Sequence, residues 1–416
     1  MIELCISLVS HRDRHLAATV MSNPDLPAEL VEKIVDLLRD DADTLKRCCL
    51  VSKSWIPLTR KHLFANIEFR SPEMLQAWKD TFPDPSTSPA CYTKSLRVPV
   101  YSDDITLADA EEGGWIPTFS QVERFVMVIE EEQEISLVPF HGFSPILKSL
   151  DIHQVYSLSS YISGLIYSFP LLEDLSVAAC CGFECDDDFN QQLAGTWPSN
   201  LPPFTGCLGL YVGSGMGIIA SGLQSLPSGL HFRELKLKLG NEADISFATS
   251  LVEECSSTLR SLQIDYDDCM SVPRCIYADG LPLFADESSC FVDLSKATGL
   301  RSVVFLRSSD PQWIATTLRT ITCNHRNFQQ LSIHAQRTLD SEDLVAIKDD
   351  IGEDGYIGWL ELDHFLAQLH ELHSTRLKLL FRGDEQRARS CAELLLPEVM
   401  AGGIVDLENS HAVKEA

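Results

Sequence analysis

The sequence has few of the features that mark secreted proteins. It contains no Asn-x-Ser/Thr sequon, and its 14 cysteines are about 3% of the 416 residues, well below the density of a disulfide scaffold. His11, Arg12, Asp13 and Arg14 interrupt the region where a signal peptide needs an unbroken apolar core. We therefore expect reduced thiols and a cytoplasmic or nuclear location.

The chain also lacks a long apolar run. Residues 189–232 contain no charged side chain and include an apolar stretch at 207–223, but five of those 17 residues are glycine. A membrane-spanning helix needs about 20 consecutive apolar residues. The composition therefore favours a buried segment of a folded domain, and we expect no membrane association.

Cations are scarce, with 33 Lys and Arg against 60 Asp and Glu and a net charge of −27. Residues 1–70 balance ten basic against ten acidic side chains, so the whole net charge lies beyond residue 70. An acidic field repels nucleic acid and anionic membranes. We expect no nucleic-acid partner, and the charge either suits a basic partner or serves solubility alone.

Catalytic motifs are also missing. No nucleophile elbow, HExxH sequence or kinase-like set occurs, so we predict no catalytic residue, no enzyme activity and no cofactor. The composition, 45% hydrophobic and 22% charged, is that of a globular protein, and the length exceeds one ordinary core. We expect several folded parts with a binding function.

Residues 26–70 carry apolar side chains at helical spacing in three blocks. Leu30, Ile34 and Leu37 form a stripe at the i, i+4, i+7 positions of a first helix. An aspartate cluster after it supplies a cap for a second helix, and Ser52 can cap a third. Three short helices bury little core, so an apolar face left over would need a partner.

The same segment follows a longer pattern, with a Leu-Pro start and apolar residues at set distances. Its members are Leu26, Pro27, Glu29, Leu30, Ile34, Leu37, Leu38, Leu45, Cys48, Leu50, Val51, Ser52, Lys53 and Trp55, followed by Arg-Lys-His-Leu-Phe at 60–64. Over about 45 residues this pattern resembles an F-box, in particular the fungal type. The alternative is an ordinary helical bundle with no partner.

The resemblance implies a partner for these helices. F-box helices bind a Skp-type adaptor, which links them to the cullin scaffold and RING subunit of a ubiquitin ligase. Carried over position by position, the resemblance assigns adaptor binding to Leu26, Pro27, Leu30, Ile34, Leu45, Leu50, Val51 and Trp55. The sequence does not separate the residues that contact the adaptor from those that form the core of the module.

Beyond residue 70 the chain changes character. Ser71, Pro72 and Glu73 predict the start of a helix, and the proline-rich segment 83–89 then predicts a linker. After residue 90, short alternating apolar pairs recur, mostly 25–29 residues apart, and several follow a leucine three residues earlier. The pairs are Leu96/Val98, Phe125/Met127, Leu150/Ile152, Leu175/Val177, Leu210/Val212, Leu235/Leu237, Leu262/Ile264, Val303/Phe305, Leu331/Ile333 and Leu360/Leu362.

One strand per unit at this period is typical of leucine-rich repeats, although the asparagine expected after the strand is missing from nearly every unit. The alternative is a generic α/β domain with parallel strands. The predicted fold is therefore α + α/β: a small three-helix F-box followed by an irregular leucine-rich-repeat-like α/β solenoid. The predicted segments are an extension (1–25), the F-box (26–70), a helix and linker (71–90), the repeat domain (91–400) and a tail (401–416).

These expectations combine into a function. The F-box would bind the Skp adaptor and the repeat domain a protein substrate, so we predict a substrate-recognition adaptor of an SCF-type ubiquitin ligase. An F-box protein that acts with the adaptor outside degradation is the first alternative. A non-enzymatic interaction module made of the repeat domain is the second. The sequence names no substrate.

A minor variant of the second alternative involves calcium. Residues 350–361 place Asp350, Asp354 and Glu361 at positions one, five and twelve of an EF-hand-like loop, with the required glycine at position six. Glycine occupies position three, where another ligand belongs, and the pair Leu360/Leu362 assigns the same segment to a repeat strand. Cys323 and His325 are too isolated for a zinc site.

Overall fold

The computed structural model describes residues 26–409, except 101–113, 130–136, 154–163, 180–201, 213–218, 220–221, 225–228, 241, 267–290, 307–310, 336–343 and 382–384. The predicted extension at 1–25 lies outside the described residues, as do residues 410–416. The chain divides into two compact units, residues 1–172 and 173–416. This division does not coincide with the predicted boundaries of the F-box and the repeat domain.

The first unit begins with three helices where the apolar spacing predicts them. They are α1 (Ala28–Leu37), α2 (Ala42–Val51) and α3 (Ile56–Leu63), with a short 3₁₀ turn at Lys53–Trp55. We call them the helical module. Val31, Val35, Leu45 and Leu63 form its buried core. The core is small, as expected for helices of eight to ten residues.

Side-chain caps lie at two boundaries within the module, the start of α2 and the start of the 3₁₀ turn. The Asp41 carboxylate accepts hydrogen bonds from the Thr44 amide at 3.0 Å and the Thr44 hydroxyl at 2.7 Å. These bonds favour the charged form and lower the pKa of Asp41. At the next boundary, the Ser52 hydroxyl accepts from the Ser54 amide at 3.3 Å. The predicted cap of the second helix is confirmed, and Ser52 caps the 3₁₀ turn that leads into α3, which itself begins without a side-chain cap.

A parallel sheet follows in the same unit. Its strands are β1 (Asn66–Glu68), β2 (Ser95–Val100), β3 (Arg124–Ile129) and β4 (Ser149–His153). Each strand pairs with the next one in the chain, and the inward positions Ile67, Leu96, Phe125 and Leu150 lie in register. The sheet therefore begins inside the segment predicted as F-box.

The segment predicted as helix and linker is helical first and then turns, and it is buried only in part. Helix α4 (Pro72–Thr81) occupies the predicted position, and 3₁₀ turns follow at Pro85–Thr87 and Pro89–Tyr92. Trp78 on α4 is 3% exposed, and its ring lies against four phenylalanines. These are Phe64, Phe69, Phe82 and Phe119, with ring centroids 4.8–6.2 Å from that of Trp78. Within the proline-rich segment, Ser88 and Pro89 are buried while most of residues 83–87 are exposed, so only its end joins the core.

The second unit contains a longer parallel sheet. Its strands are β5 (Asp174–Ala179), β6 (Cys207–Val212), β7 (Glu234–Leu239), β8 (Ser261–Tyr266), β9 (Ser302–Leu306), β10 (Gln330–Ala335), β11 (Arg376–Phe381) and β12 (Val405–Asn409). Each pairs in parallel with its successor in the chain. The helices are α5 (Glu242–Glu254), α6 (Pro311–Arg319), α7 (Leu344–His373), α8 (Glu385–Leu395) and α9 (Pro397–Ala401).

The same local pattern recurs from strand to strand. Inward side chains are buried and outward ones half-buried, as in β7, where Leu235, Leu237 and Leu239 point inward. At the start of a strand, two successive amides donate to one carbonyl of the strand before it. The Arg260 and Ser261 amides thus donate to the Arg233 carbonyl, at 2.8 and 3.0 Å. This repetition explains the regular spacing of apolar pairs in the sequence.

Nine of the ten predicted strand segments lie in strands. The structure differs from the prediction at one segment, in the register of one strand and at the end of the sheet. Leu360 and Leu362 lie in α7, and the strand of that region is β11. In β6 the inward pair is Leu208 and Leu210, two residues before the predicted pair. Strand β12 pairs with β11 inside the predicted tail, so the sheet extends past the predicted end at residue 400.

The apolar stretch at 207–223 begins as strand β6, which pairs on both sides with β5 and β7. Within the described ranges, no helix combines the length and the apolar composition that crossing a membrane requires. The first part of this stretch is therefore explained by burial in a sheet.

Candidate functional site

Helix α1 carries two apolar stripes. One points inward, where Val31 and Val35 are 5% and 1% exposed. The other lies about 100° around the helix, one residue back at each step, where Leu30 and Ile34 are 47% and 36% exposed. The apolar surface of α1 is thus wider than the part that the core of the module covers, and one of its two stripes faces solvent.

The outward stripe continues at both ends of α1, and the end of α2 carries two more exposed apolar residues. Leu26 is 50% and Leu37 is 85% exposed, while Leu50 and Val51 at the end of α2 are 74% and 67% exposed. Pro27 is exposed as well. We call Leu26, Pro27, Leu30, Ile34, Leu37, Leu50 and Val51 the exposed apolar set. So many large apolar side chains in water on one small module are typical of a binding surface.

The structure divides the eight residues that the sequence predicts as adaptor-binding. Six of them belong to the exposed apolar set. Leu45 is 1% exposed and forms part of the core of the module, and Trp55 packs half-buried against that core. These two residues therefore hold the helices together.

Leu37 is the one member of the exposed apolar set that sequence reasoning did not assign to the site. Its position at i+7 from Leu30 was the available signal, since these two side chains share one helical face. A hydrogen bond of 2.8 Å between Asp36 and His62 ties α1 to α3 beside this face. The direction in which the outward stripe points is thereby fixed.

The segment predicted as a calcium loop is helical. Asp350, Asp354 and Glu361 all lie within α7, a continuous helix of 30 residues. An EF-hand loop needs a sharp turn at its glycine, which a helix does not allow. Glu361 instead lies 3.7 Å from Arg319 of α6. The calcium-loop hypothesis is therefore wrong, because these residues have helical backbone and do not form the turned loop that an EF-hand needs.

The second metal candidate is also accounted for. His325 is fully buried, its Nδ1 accepts from the Thr322 amide at 3.0 Å, and its Nε2 donates to the Leu294 carbonyl at 2.9 Å. Both ring nitrogens are thus occupied by the backbone. Within the part of the chain that the structure describes, no three His, Cys, Asp or Glu side chains are grouped as metal ligands.

No protein-family model matches this chain, and no curated protein is significantly similar to it. The resemblance to F-box proteins therefore rests on the residues and spacing of positions 26–64 alone. What the structure adds is the exposure of the side chains concerned.

Proposed function

We propose that this chain is a substrate-recognition adaptor of an SCF-type ubiquitin ligase, which binds a Skp-type adaptor through the helical module. The observation that carries the proposal is the exposed apolar set. Six of the residues that the F-box resemblance assigns to adaptor binding are side chains that the module leaves in water. A helical bundle without a partner has no use for this arrangement.

The size of the exposed apolar set fits a stable interface. Fully burying one Leu, Ile or Val side chain contributes about 1.5–3 kcal/mol. Because these side chains are already partly buried, their gross gain is of the same order as the roughly 8 kcal/mol of micromolar affinity before association costs are subtracted. Through the Skp-type adaptor, the chain would be linked to a cullin scaffold and a RING subunit.

The rest of the chain suits the second half of the proposed function. Parallel strands in sequence order, seven of which share the same hydrogen-bonded start, support an irregular leucine-rich-repeat-like domain. Such a sheet leaves one side chain in two facing outward along every strand. We propose that this domain holds the protein substrate near the ubiquitin-charged enzyme, raising its effective concentration there.

The decisive experiment co-expresses the full chain with a Skp-type adaptor and measures their affinity. Leu30→Ala with Ile34→Ala should abolish co-purification, because truncating anchors of an interface typically costs 2 kcal/mol or more each. The free energy of unfolding should fall by much less than the roughly 2–5 kcal/mol per residue of a core truncation, because a third to a half of each side chain is already in water.

The matched control is Glu32→Ala with Arg39→Ala, one on the same helix and one just after it. Both residues are exposed and polar, so this variant should keep full affinity. Failure of the wild-type chain to bind the adaptor would remove the ubiquitin-ligase assignment. Equal loss of binding in both double variants would show that the apolar side chains are not the anchors.

A further inference from the structure

Three arginines occupy the same place on three successive strands of the second unit. Arg233, Arg260 and Arg301 each precede the first residue of β7, β8 and β9. The backbone places them side by side, since the Arg260 amide donates to the Arg233 carbonyl and the Arg301 amide to the Arg260 carbonyl, both at 2.8 Å. Parallel strands lie about 4.8 Å apart, so this arginine row spans about 10 Å.

The equivalent row in the first unit is neutralised. There Lys94, Glu123 and Lys148 precede β2, β3 and β4, and the Glu123 carboxylate lies 3.0 Å from Lys94 and 3.7 Å from Lys148. Hydrogen bonding and the positive charge of these lysines lower the pKa of Glu123. Charges of alternating sign therefore stabilise this row, as expected for cross-strand neighbours.

Among the described residues, the arginine row has no such partner. Arg233 and Arg301 are exposed and form no ion pair with any residue that the structure describes. Like charges on adjacent strands destabilise a sheet, and the chain has 60 acidic residues with which to offset them. Within the residues that the structure describes, three cations without an acidic partner thus lie on adjacent strands of a protein of net charge −27, an arrangement that suits an anionic ligand.

The central arginine is held in place. The Arg260 guanidinium is half-buried and donates to the carbonyls of Gly299, at 3.1 Å, and Leu259, at 3.3 Å. Gly299 makes room for it, because a Cβ at this position would overlap the guanidinium. A guanidinium has five N–H donors, so other donors remain after these contacts. Fixing one arginine between two exposed ones reduces the entropy lost on binding.

We propose that the arginine row binds anionic oxygen groups, phosphoryl or carboxylate, presented by an extended segment of a partner protein. Arginine forks match both groups with paired hydrogen bonds. The acidic field of the chain opposes long polyanions such as nucleic acid and leaves a short peptide as the occupant. The identification of this peptide as part of a recruited substrate rests on the proposed function, whereas the anion site itself does not.

The test uses the full chain and a fluorescein-labelled Gly/Ser peptide with two phosphoserines one residue apart, measured by fluorescence anisotropy. We expect binding that weakens with added salt. Arg233→Gln with Arg301→Gln should weaken it about tenfold or more, since charge-assisted hydrogen bonds are lost. Gly299→Ala, which displaces the Arg260 guanidinium without removing charge, should weaken binding as well.

The control double variant is Lys61→Gln with Arg319→Gln, which removes the same charge from exposed positions outside the row. Its affinity for the phosphopeptide should equal that of the wild type. An equal loss of affinity in both double variants would show that net charge alone causes the effect, and it would overturn the proposal. The proposal would also be overturned if neither the phosphopeptide nor its glutamate version bound to the chain. Full affinity in Gly299→Ala would contradict the role of Arg260.

Two further arms identify the source of the anion. Preference for the phosphopeptide over its glutamate version would assign the row to phosphoryl groups, and equal affinity would assign it to anionic side chains in general. Inorganic phosphate should compete in the first case. The assay contains no Skp-type adaptor, so its failure leaves adaptor binding intact, and failure of adaptor binding leaves the anion site intact.

Discussion

Single residues of the helical module have separate tasks, and α2 shows this best. Leu45 is 1% exposed and Leu50, five residues later, is 74% exposed. Both are leucines on the same helix, so composition and propensity treat them alike. Only their direction differs, since Leu45 packs against the core of the module while Leu50 faces water.

This difference predicts opposite effects of the same substitution. Leu45→Ala should lower the free energy of unfolding by about 2–5 kcal/mol, since it leaves a cavity in a small core. Leu50→Ala should leave stability within about 0.5 kcal/mol and weaken binding of a Skp-type adaptor. Urea denaturation and affinity measurements on both variants check this. A Leu50→Ala variant as unstable as Leu45→Ala would contradict the assignment of Leu50 to the surface.

At the scale of elements, α7 is the clearest departure from the sequence prediction. It runs through a segment predicted as a calcium loop and a strand, and it packs on α6 and α9. Gly358 allows the close approach to α6, because a Cβ there would lie 3.0 Å from the Pro311 side chain. A glycine in mid-helix otherwise costs about 1 kcal/mol relative to alanine.

Two substitutions at Gly358 should separate these effects. Gly358→Ala should be close to neutral, because the gain in helix propensity offsets a contact that needs a few tenths of an ångström of adjustment. Gly358→Leu should destabilise the chain by about 1–3 kcal/mol, since its side chain has no room against α6. Thermal unfolding measures both. A Leu variant as stable as the wild type would show that α6 and α7 are not closely packed at this point.

At the scale of the whole molecule, three histidines make stability depend on pH. Burial lowers the pKa of His141, His334 and His373 below the usual 6.5, with Lys378 adding to the effect at His334 and His325 at His373. Below pH 6.5 the unfolded chain then binds more protons than the folded one. The free energy of unfolding must therefore fall as the pH drops from 6.5 to the lowered pKa values.

The test compares the wild type with the triple variant His141→Asn, His334→Asn, His373→Asn. Urea denaturation above and below pH 6.5 should show a smaller loss of stability on acidification in the variant. The difference between the two proteins isolates the histidines from the reduction of net negative charge, which both proteins share. An equal pH dependence in the two proteins would show that these histidines titrate alike in the folded and unfolded states.

Much of the architecture followed from local pattern. The helical spacing of residues 26–63 and the recurring apolar pairs beyond residue 90 predicted helices and strands at the places where most of them lie, because a periodic apolar pattern can bury its face in only one regular conformation. The local apolar pattern gave the wrong element where a short alternating segment lies inside a long helix. Residues 360–362 alternate like a strand, but they lie within a 30-residue helix that buries Trp359 and Leu362.

The sequence by itself determined the three helices of the module, most of the strands and the segment from which a partner-binding surface could come. Tertiary structure alone decided which apolar residues of that segment face water, because Val31 and Leu30 look alike until α2 and α3 cover one of them. It also brought Arg233, Arg260 and Arg301 together. They lie 27 and 41 positions apart in the chain, and only strand register makes them neighbours.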